Sequence, residues 1–245
     1  MQRFLGTLSF HGHPFQGWQT QKEGRSIQEQ VEKTLSMMLN QAIHVHGASR
    51  TDAGVHARGF VFHFDAVTQL TTKKMLLGFN RMVDPHILLK QLKKVPTRFE
   101  ARYQHSKKTY TYQILQGERD PFLKDVVMHV PFKLSITKLK EVGKLFVGEH
   151  NFQNFTTKKE DGAFFIRTIY QCKTSVSGRL IKLTFVGDGF MTYMVRMMVG
   201  TMIAYAQSKI SLDTIRQSLA KPSKGNLSFK AEPQGLTLEK VAYEK

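Results

Sequence analysis

Residues 48–56 read Ala-Ser-Arg-Thr-Asp-Ala-Gly-Val-His, which places an arginine, an aspartate and a histidine within seven residues around a glycine. An ionised carboxylate at Asp52 has the chemistry of a base or a nucleophile, and a guanidinium such as that of Arg50 would keep it ionised. The same Asp-Ala-Gly run is also ordinary turn chemistry, with the aspartate bonding its own backbone. Both readings stand on these residues alone. A second unusual group is Arg196, inside the apolar run Phe190 to Ala206. A guanidinium there requires a carboxylate, a carbonyl or a ligand phosphate. Asp52 is a candidate for that acid.

Other residue groups carry weaker chemistry. His11 with His13, and His44 with His46, are alternate positions that share a face of a strand and are able to ligate a metal. No neighbouring Cys or carboxylate completes a ligand set, so polar strand or loop residues are the favoured reading. Trp18, in Gly17-Trp18-Gln19, and Tyr110 have faces on which a base can stack, against the alternative of core or rim aromatics. Met191, Met194, Met197, Met198 and Met202 resemble a soft binding surface, but their helical spacing favours core. The chain has no G-x-S-x-G, Walker loop or dinucleotide fingerprint.

The elements that must hold these residues follow from periodicity. Arg3 to Phe10 alternates as a strand. Ser26 and Glu29 form a capping box ahead of Ile27, Val31, Leu35 and Leu39, which predicts a helix over Ile27 to Asn40. His44 to Ala48 and Gly59 to Asp65 read as strands on either side of the Asp52 loop, and loops held by strands are favoured places for catalytic residues. Met75 to Met82 reads as helix, and His86 to Val95 and Phe99 to Gln104 as extended chain. Thr109 to Gln116 alternates Tyr110, Tyr112 and Ile114 against polar residues, a half-buried strand. Ser135 caps a helix through Phe146. Ile166 to Ser175 and Arg179 to Val186 form a hairpin about Ser177-Gly178. Met191 to Ala206 is an apolar helix, Leu212 to Leu219 a shorter one, and Leu236 to Tyr243 a closing strand. This mixture predicts an α+β fold with a largely antiparallel sheet, divided near residue 105 into halves 1–105 and 106–245.

Composition sets the outer bounds. The 245 residues are 41% hydrophobic and 11% aromatic, too rich for a disordered chain. Thirty-six Lys and Arg against nineteen Asp and Glu give a formal charge of +17, which points to a polyanionic partner. Lys93, Lys94, Arg98, Arg102, Lys107 and Lys108 crowd one short stretch. The single cysteine, Cys172, excludes an internal disulfide and fits a reducing compartment. The amino-terminal residues lack a secretory pattern, and Arg196 argues that Phe190 to Ala206 is a core helix and not a membrane span.

Beyond these readings, the chain resembles the TruA-type tRNA pseudouridine synthase family. Arg50-Thr51-Asp52-Ala53-Gly54-Val55-His56-Ala57 resembles that family's signature loop. Gly17-Trp18-Gln19 with Ser26-Ile27-Gln28, Phe99-Glu100-Ala101-Arg102, Tyr110-Thr111-Tyr112, Gly148-Glu149-His150-Asn151-Phe152 with Phe155 and Arg167, Gly189-Phe190 with Met194-Val195-Arg196, and Ala231 to Tyr243 resemble further motifs in the family's order. The resemblance implies two ferredoxin-like halves joined in one mainly antiparallel sheet with a cleft between them. It implies a cytoplasmic homodimer that binds tRNA and isomerises uridine in the anticodon arm, at positions 38 to 40, with no cofactor and no metal. Asp52 then matches the catalytic aspartate, which attacks the flipped uridine or assists cleavage of its glycosidic bond. Arg196 matches the arginine that pairs with that aspartate, Tyr110 the tyrosine that packs on the uracil, and Arg50 the arginine that holds the flipped nucleotide. Flipping is required because the bond is out of reach in a stacked, paired nucleotide.

Several positions depart from the family pattern: Ser49, Phe10-His11, Val83-Asp84-Pro85-His86, Asn151 and Thr109. They leave the catalytic set intact and bear on the identity of the RNA. The same chemistry on ribosomal RNA and a non-catalytic RNA-binding paralogue are the alternatives. Joint retention of Asp52, Tyr110 and Arg196 argues against the paralogue.

Overall fold

The computed structural model of the chain describes residues 1–157, 165–221 and 227–243. The chain divides into two compact units, Met1–Ser106 with Leu238–Lys245, and Lys107–Thr237. The sequence reading puts all of 106–245 in the second half, whereas most of the closing strand clusters with the first unit. The fold is α+β with mainly antiparallel strands and, among the described residues, five α-helices.

In the first unit the strands run β4-β1-β3-β10, with a short β2 beside β3. They are β1 (Gln2–Phe10), β2 (His46–Gly47), β3 (His56–Ala66), β4 (Ile87–Val95) and β10 (Leu236–Tyr243). Phe60, Phe62 and Phe64 recur every second residue on β3 and are fully buried. Phe64 lies opposite Phe4 of β1 in register, and their rings stack at 5.3 Å. Such cross-strand pairs are the units that stabilise a sheet. Helix α1 (Ile27–Leu39) starts where the capping box predicts: Ser26 Oγ accepts the Glu29 amide at 3.2 Å. Its buried stripe is Ile27, Val31 and Leu35. It packs on α2 (Thr72–Met82), which in turn covers β4.

Two expectations need correction here. The strand predicted over His44 to Ala48 is reduced to two residues of β2. Phe99 to Gln104 is not extended; it is a run of turns, with the Tyr103 and Gln104 amides bonding back to the Glu100 carbonyl. Long-range bonds fix that shape. The Ala101 amide donates to His63 Nδ1 at 3.3 Å, and Arg3 holds both the Phe99 carbonyl and the Glu100 carboxylate.

In the second unit the order is β5-β9-β8-β7. These are β5 (His105–Gln116), β7 (Gly148–Asn151), β8 (Ile166–Ser177) and β9 (Leu180–Gly187). The predicted hairpin is present: Ser177 of β8 faces Leu180 of β9 across a tight turn in which Gly178 has φ +57°. Sequence periodicity misses β6 (Met128–Val130), a three-residue strand parallel to β5. Helix α3 (Ile136–Phe146) starts at Ser135 as expected and packs on β8 and on α4 (Met194–Ala206). A shorter α5 (Leu212–Ala220) follows. Every residue of α4 from Met194 to Ala204 is buried, so its methionines are core, as their spacing suggests. Thirteen residues at 1.5 Å each span about 20 Å, short of a ~30 Å hydrocarbon layer. Among the described residues no helix is long and apolar enough to cross a membrane.

Candidate active site

Asp52 lies in the loop between β2 and β3, half-buried, with Arg50 exposed two residues before it. The loop closes on itself through the Val55 amide, which donates to the Asp52 carbonyl at 3.2 Å, and Gly54 has φ +75°. The turn reading of Asp-Ala-Gly therefore holds, and the turn is what presents the Asp52 side chain.

A second segment, residues 10–18, is clasped along this loop. The Trp18 amide donates to the Thr51 carbonyl at 3.1 Å, and the Gly54 amide to the Phe15 carbonyl at 3.3 Å. The Gly12 amide donates to His56 Nδ1 at 3.0 Å. Approach is so close that glycine is needed at both ends. A Cβ on Gly12 would lie 2.0 Å from the Val55 carbonyl oxygen, and one on Gly17, where φ is +93°, 2.5 Å from the Thr51 oxygen. Trp18 is buried and stacks on Phe60 at 4.0 Å. It is therefore a core aromatic that anchors the clasp, and its face is not open to a base.

The clasp is itself tethered. Arg25 pairs with Asp84, and Asp84 also accepts the His86 amide at 2.8 Å and faces His86 Nδ1 at 2.9 Å. Burial pushes the Asp84 carboxyl upward, but the bonds from His86 and Arg25 outweigh it and hold the group below the usual carboxylate range. The His11 amide reaches the His86 carbonyl at 2.9 Å.

Tyr110 and Arg196 belong to the second unit. Tyr110 sits on β5 opposite Phe185 of β9 and is 6% exposed. Its ring meets Phe190 edge-on at 5.1 Å, in the connection that leads into α4. Two residues along the same face, Tyr112 is deeper: its hydroxyl donates to the Glu232 carbonyl at 2.6 Å, and burial raises its pKa. Lys108, two residues in the other direction, is also buried. It thus departs from the solvent-facing role that the basic stretch suggests, whereas Lys93, Lys94, Arg98, Arg102 and Lys107 are exposed.

Arg196 is 7% exposed on α4. Its Nε donates to the Ala231 carbonyl at 2.9 Å, while the Ala231 amide returns a bond to the Arg196 carbonyl at 3.0 Å. The guanidinium carbon lies 5.2 Å from the Tyr193 ring centre. A carbonyl is thus one of the partners this buried cation requires. The chain passes close by for a local reason: a Cβ on Gly200 would lie 2.7 Å from the Phe229 backbone.

Of the candidates read from the sequence, Asp52 and Arg50 share one loop of the first unit and Tyr110 and Arg196 belong to the second, whereas the pairing of Gly12 with His56 is not read from the sequence. The available signal was two glycines, Gly12 and Gly17, flanking a short turn ahead of a capped helix. Three of the histidines singled out as possible ligands, His11, His13 and His46, pack against other rings. His11 stands edge-on to His56 at 4.6 Å, and His46 stacks on His63 at 5.0 Å. Among the described residues no group of three His, Cys, Asp or Glu is placed to hold a metal. Burial lifts the Cys172 thiol to about 12, the behaviour of a packing residue.

The first unit thus holds a carboxylate on a clasped turn, and the second a buried tyrosine packed on Phe190 and a buried arginine on α4. Comparison with known proteins gives the family. A model described as tRNA pseudouridine synthase matches residues 143–244. Full-length similarity goes further: tRNA pseudouridine synthase A of a Geobacillus species is 34% identical over 245 residues, covering 99% of each chain. The proteins of that name from Mycoplasma genitalium and Listeria monocytogenes are each 34% identical, with both chains covered completely. The chain belongs to the tRNA pseudouridine synthase family.

Proposed function

We propose that this protein isomerises uridine to pseudouridine in the anticodon arm of tRNA, at positions 38 to 40, using Asp52 and neither metal nor cofactor. The observation that carries the reading is the Asp52 loop itself: a half-buried carboxylate on a turn held by backbone bonds from a second segment. Preorganisation of this kind leaves little to reorganise during reaction. The carboxylate acts on the flipped nucleoside as nucleophile or as base; the N1–C1′ bond breaks, the uracil turns, and C5 bonds to C1′ with loss of the C5 proton. Tyr110, its ring seated against Phe190, packs on the uracil. Arg50, exposed beside Asp52, holds the flipped nucleotide. Arg196 is the cation that the family resemblance assigns to the aspartate. By the same resemblance the protein works as a cytoplasmic homodimer.

Asp52→Asn keeps size and hydrogen-bonding capacity and removes the charge. With tRNA carrying 5-tritiated uridine, the variant is expected to release no tritium while holding tRNA on a filter as the wild type does. Tritium release by Asp52→Asn overturns the assignment. Wild-type binding without release identifies a non-catalytic RNA-binding protein instead.

A further inference from the structure

We infer that His56 is a positioning residue: by accepting the Gly12 amide at Nδ1 it locks the segment of residues 10–18 onto the Asp52 loop, and the lock opens when the imidazole is protonated. The inference rests on the reading of Asp52 as the acting carboxylate. The bond is 3.0 Å long and buried, and it joins residues 44 apart in sequence. It forms one end of a clasp whose other end is the Trp18–Thr51 backbone bond, with the Asp52 turn between them. Gly12 is packed tightly at this point: a Cβ on it would lie 2.0 Å from the Val55 carbonyl oxygen.

The geometry specifies the protonation state. A nitrogen that accepts a bond carries no proton, so the neutral ring bears its proton on Nε2. The imidazolium is a donor at both nitrogens, and would set an N–H against the Gly12 N–H. Acid therefore works against the clasp from within. The charged and titratable groups around His56 push in both directions. The His11 ring lies 4.6 Å away, with His13 and His86 at 6.4 and 6.1 Å from His11, and their protonation opposes a further positive charge. Asp84, bonded to His86 and paired with Arg25, and Asp52 on the same loop favour one.

The test contrasts two amides. His56→Asn places an oxygen where Nδ1 stands and cannot become charged, whereas His56→Gln puts its amide near the Nε2 position, one methylene too far for Gly12. In His56→Gln the Gly12 amide is expected to exchange with solvent about tenfold faster, and kcat for tritium release to fall by about tenfold with KM little changed, the effect of losing one buried hydrogen bond. In His56→Asn both are expected to recover; the wild type is expected to lose activity on going from about pH 7.5 to about pH 5.5, the range in which imidazoles titrate, and His56→Asn is not, so that a wild type without this loss also overturns the inference. Equal exchange and equal kcat in the two variants overturn the inference, as does an acid loss in His56→Asn as large as that of the wild type. Faster exchange in His56→Gln without a fall in kcat shows a clasp that does not serve catalysis and overturns it too. An active Asp52→Asn instead removes the reading beneath it, and the two failures are thereby told apart.

Discussion

Arg3 grips Asp65 through two parallel bonds, Nε to Oδ1 at 2.9 Å and a terminal nitrogen to Oδ2 at 2.8 Å. These bonds hold the Asp65 carboxyl below the usual carboxylate range, against the upward push of burial. Its folded pKa being depressed, Asp65 stabilises the protein above the unfolded value of about 3.9 and ceases to do so as pH falls through the lower folded value. His63, two residues earlier on β3, is almost fully buried, and burial lowers its pKa despite the nearby Glu100. The unfolded chain takes up that proton first, so stability declines once pH drops below about 6.5. Asp65→Asn is expected to lose about 1.5–3 kcal/mol at neutral pH, the worth of hydrogen bonds to a charged group. Urea melts across pH should show that deficit shrink below the unfolded value of about 3.9 and vanish only as pH falls through the lower folded value of Asp65. The decline between about pH 7 and 5 should persist in the variant, because it belongs to His63.

At the scale of elements, two glycines separate backbone strain from function. Gly178 turns the β8–β9 hairpin at φ +57° with nothing within 4 Å of a built Cβ. Gly17 has φ +93° and would drive a Cβ against the Thr51 carbonyl. Both Gly→Ala changes carry the left-handed penalty of roughly 1–2 kcal/mol. Only Gly17→Ala must also displace the loop that carries Asp52. Denaturant melts should therefore show a modest loss for Gly178→Ala with tritium release intact. Gly17→Ala should lose more stability and about tenfold or more of its activity, in line with the cost of a misplaced catalytic group. Equal activity in the two would mean that the clasp does not position the loop. The legibility of these elements follows the range of their interactions. Helix α1 was plain in Ser26, Glu29 and its apolar stripe, all within a few turns of chain. Phe99 to Gln104 was misread because its turns are set by His63 and Arg3, each more than thirty residues away.

Across the whole molecule the +17 charge is the dominant feature. Of the six basic residues between 93 and 108, five face solvent and Lys108 is buried. Binding of tRNA should weaken steeply with salt, with log affinity falling by about 0.7–0.9 per log unit of salt for every phosphate contacted. Replacing Lys93 and Lys94, both exposed on β4, by Ala should flatten that slope if they touch phosphate, and should leave the melting temperature nearly unchanged. A salt-independent affinity would remove the electrostatic account of RNA binding.

The residue types that do chemistry, the helices with their caps, the hairpin and the polyanion-seeking charge were all determined by sequence, because each depends on neighbours within a few positions or on simple sums. Resemblance of ordered motifs added the family and the roles proposed for Asp52, Arg50, Tyr110 and Arg196. Tertiary structure alone decided which carbonyl receives the Arg196 guanidinium, that Trp18 closes against Phe60, that Lys108 is buried and that Gly12 meets His56. Those pairings join residues 35 to 44 positions apart, or settle which face of a strand is covered. Local patterning is indifferent to such choices; they follow from packing, where a buried donor or cation must find its partner wherever the chain brings one near.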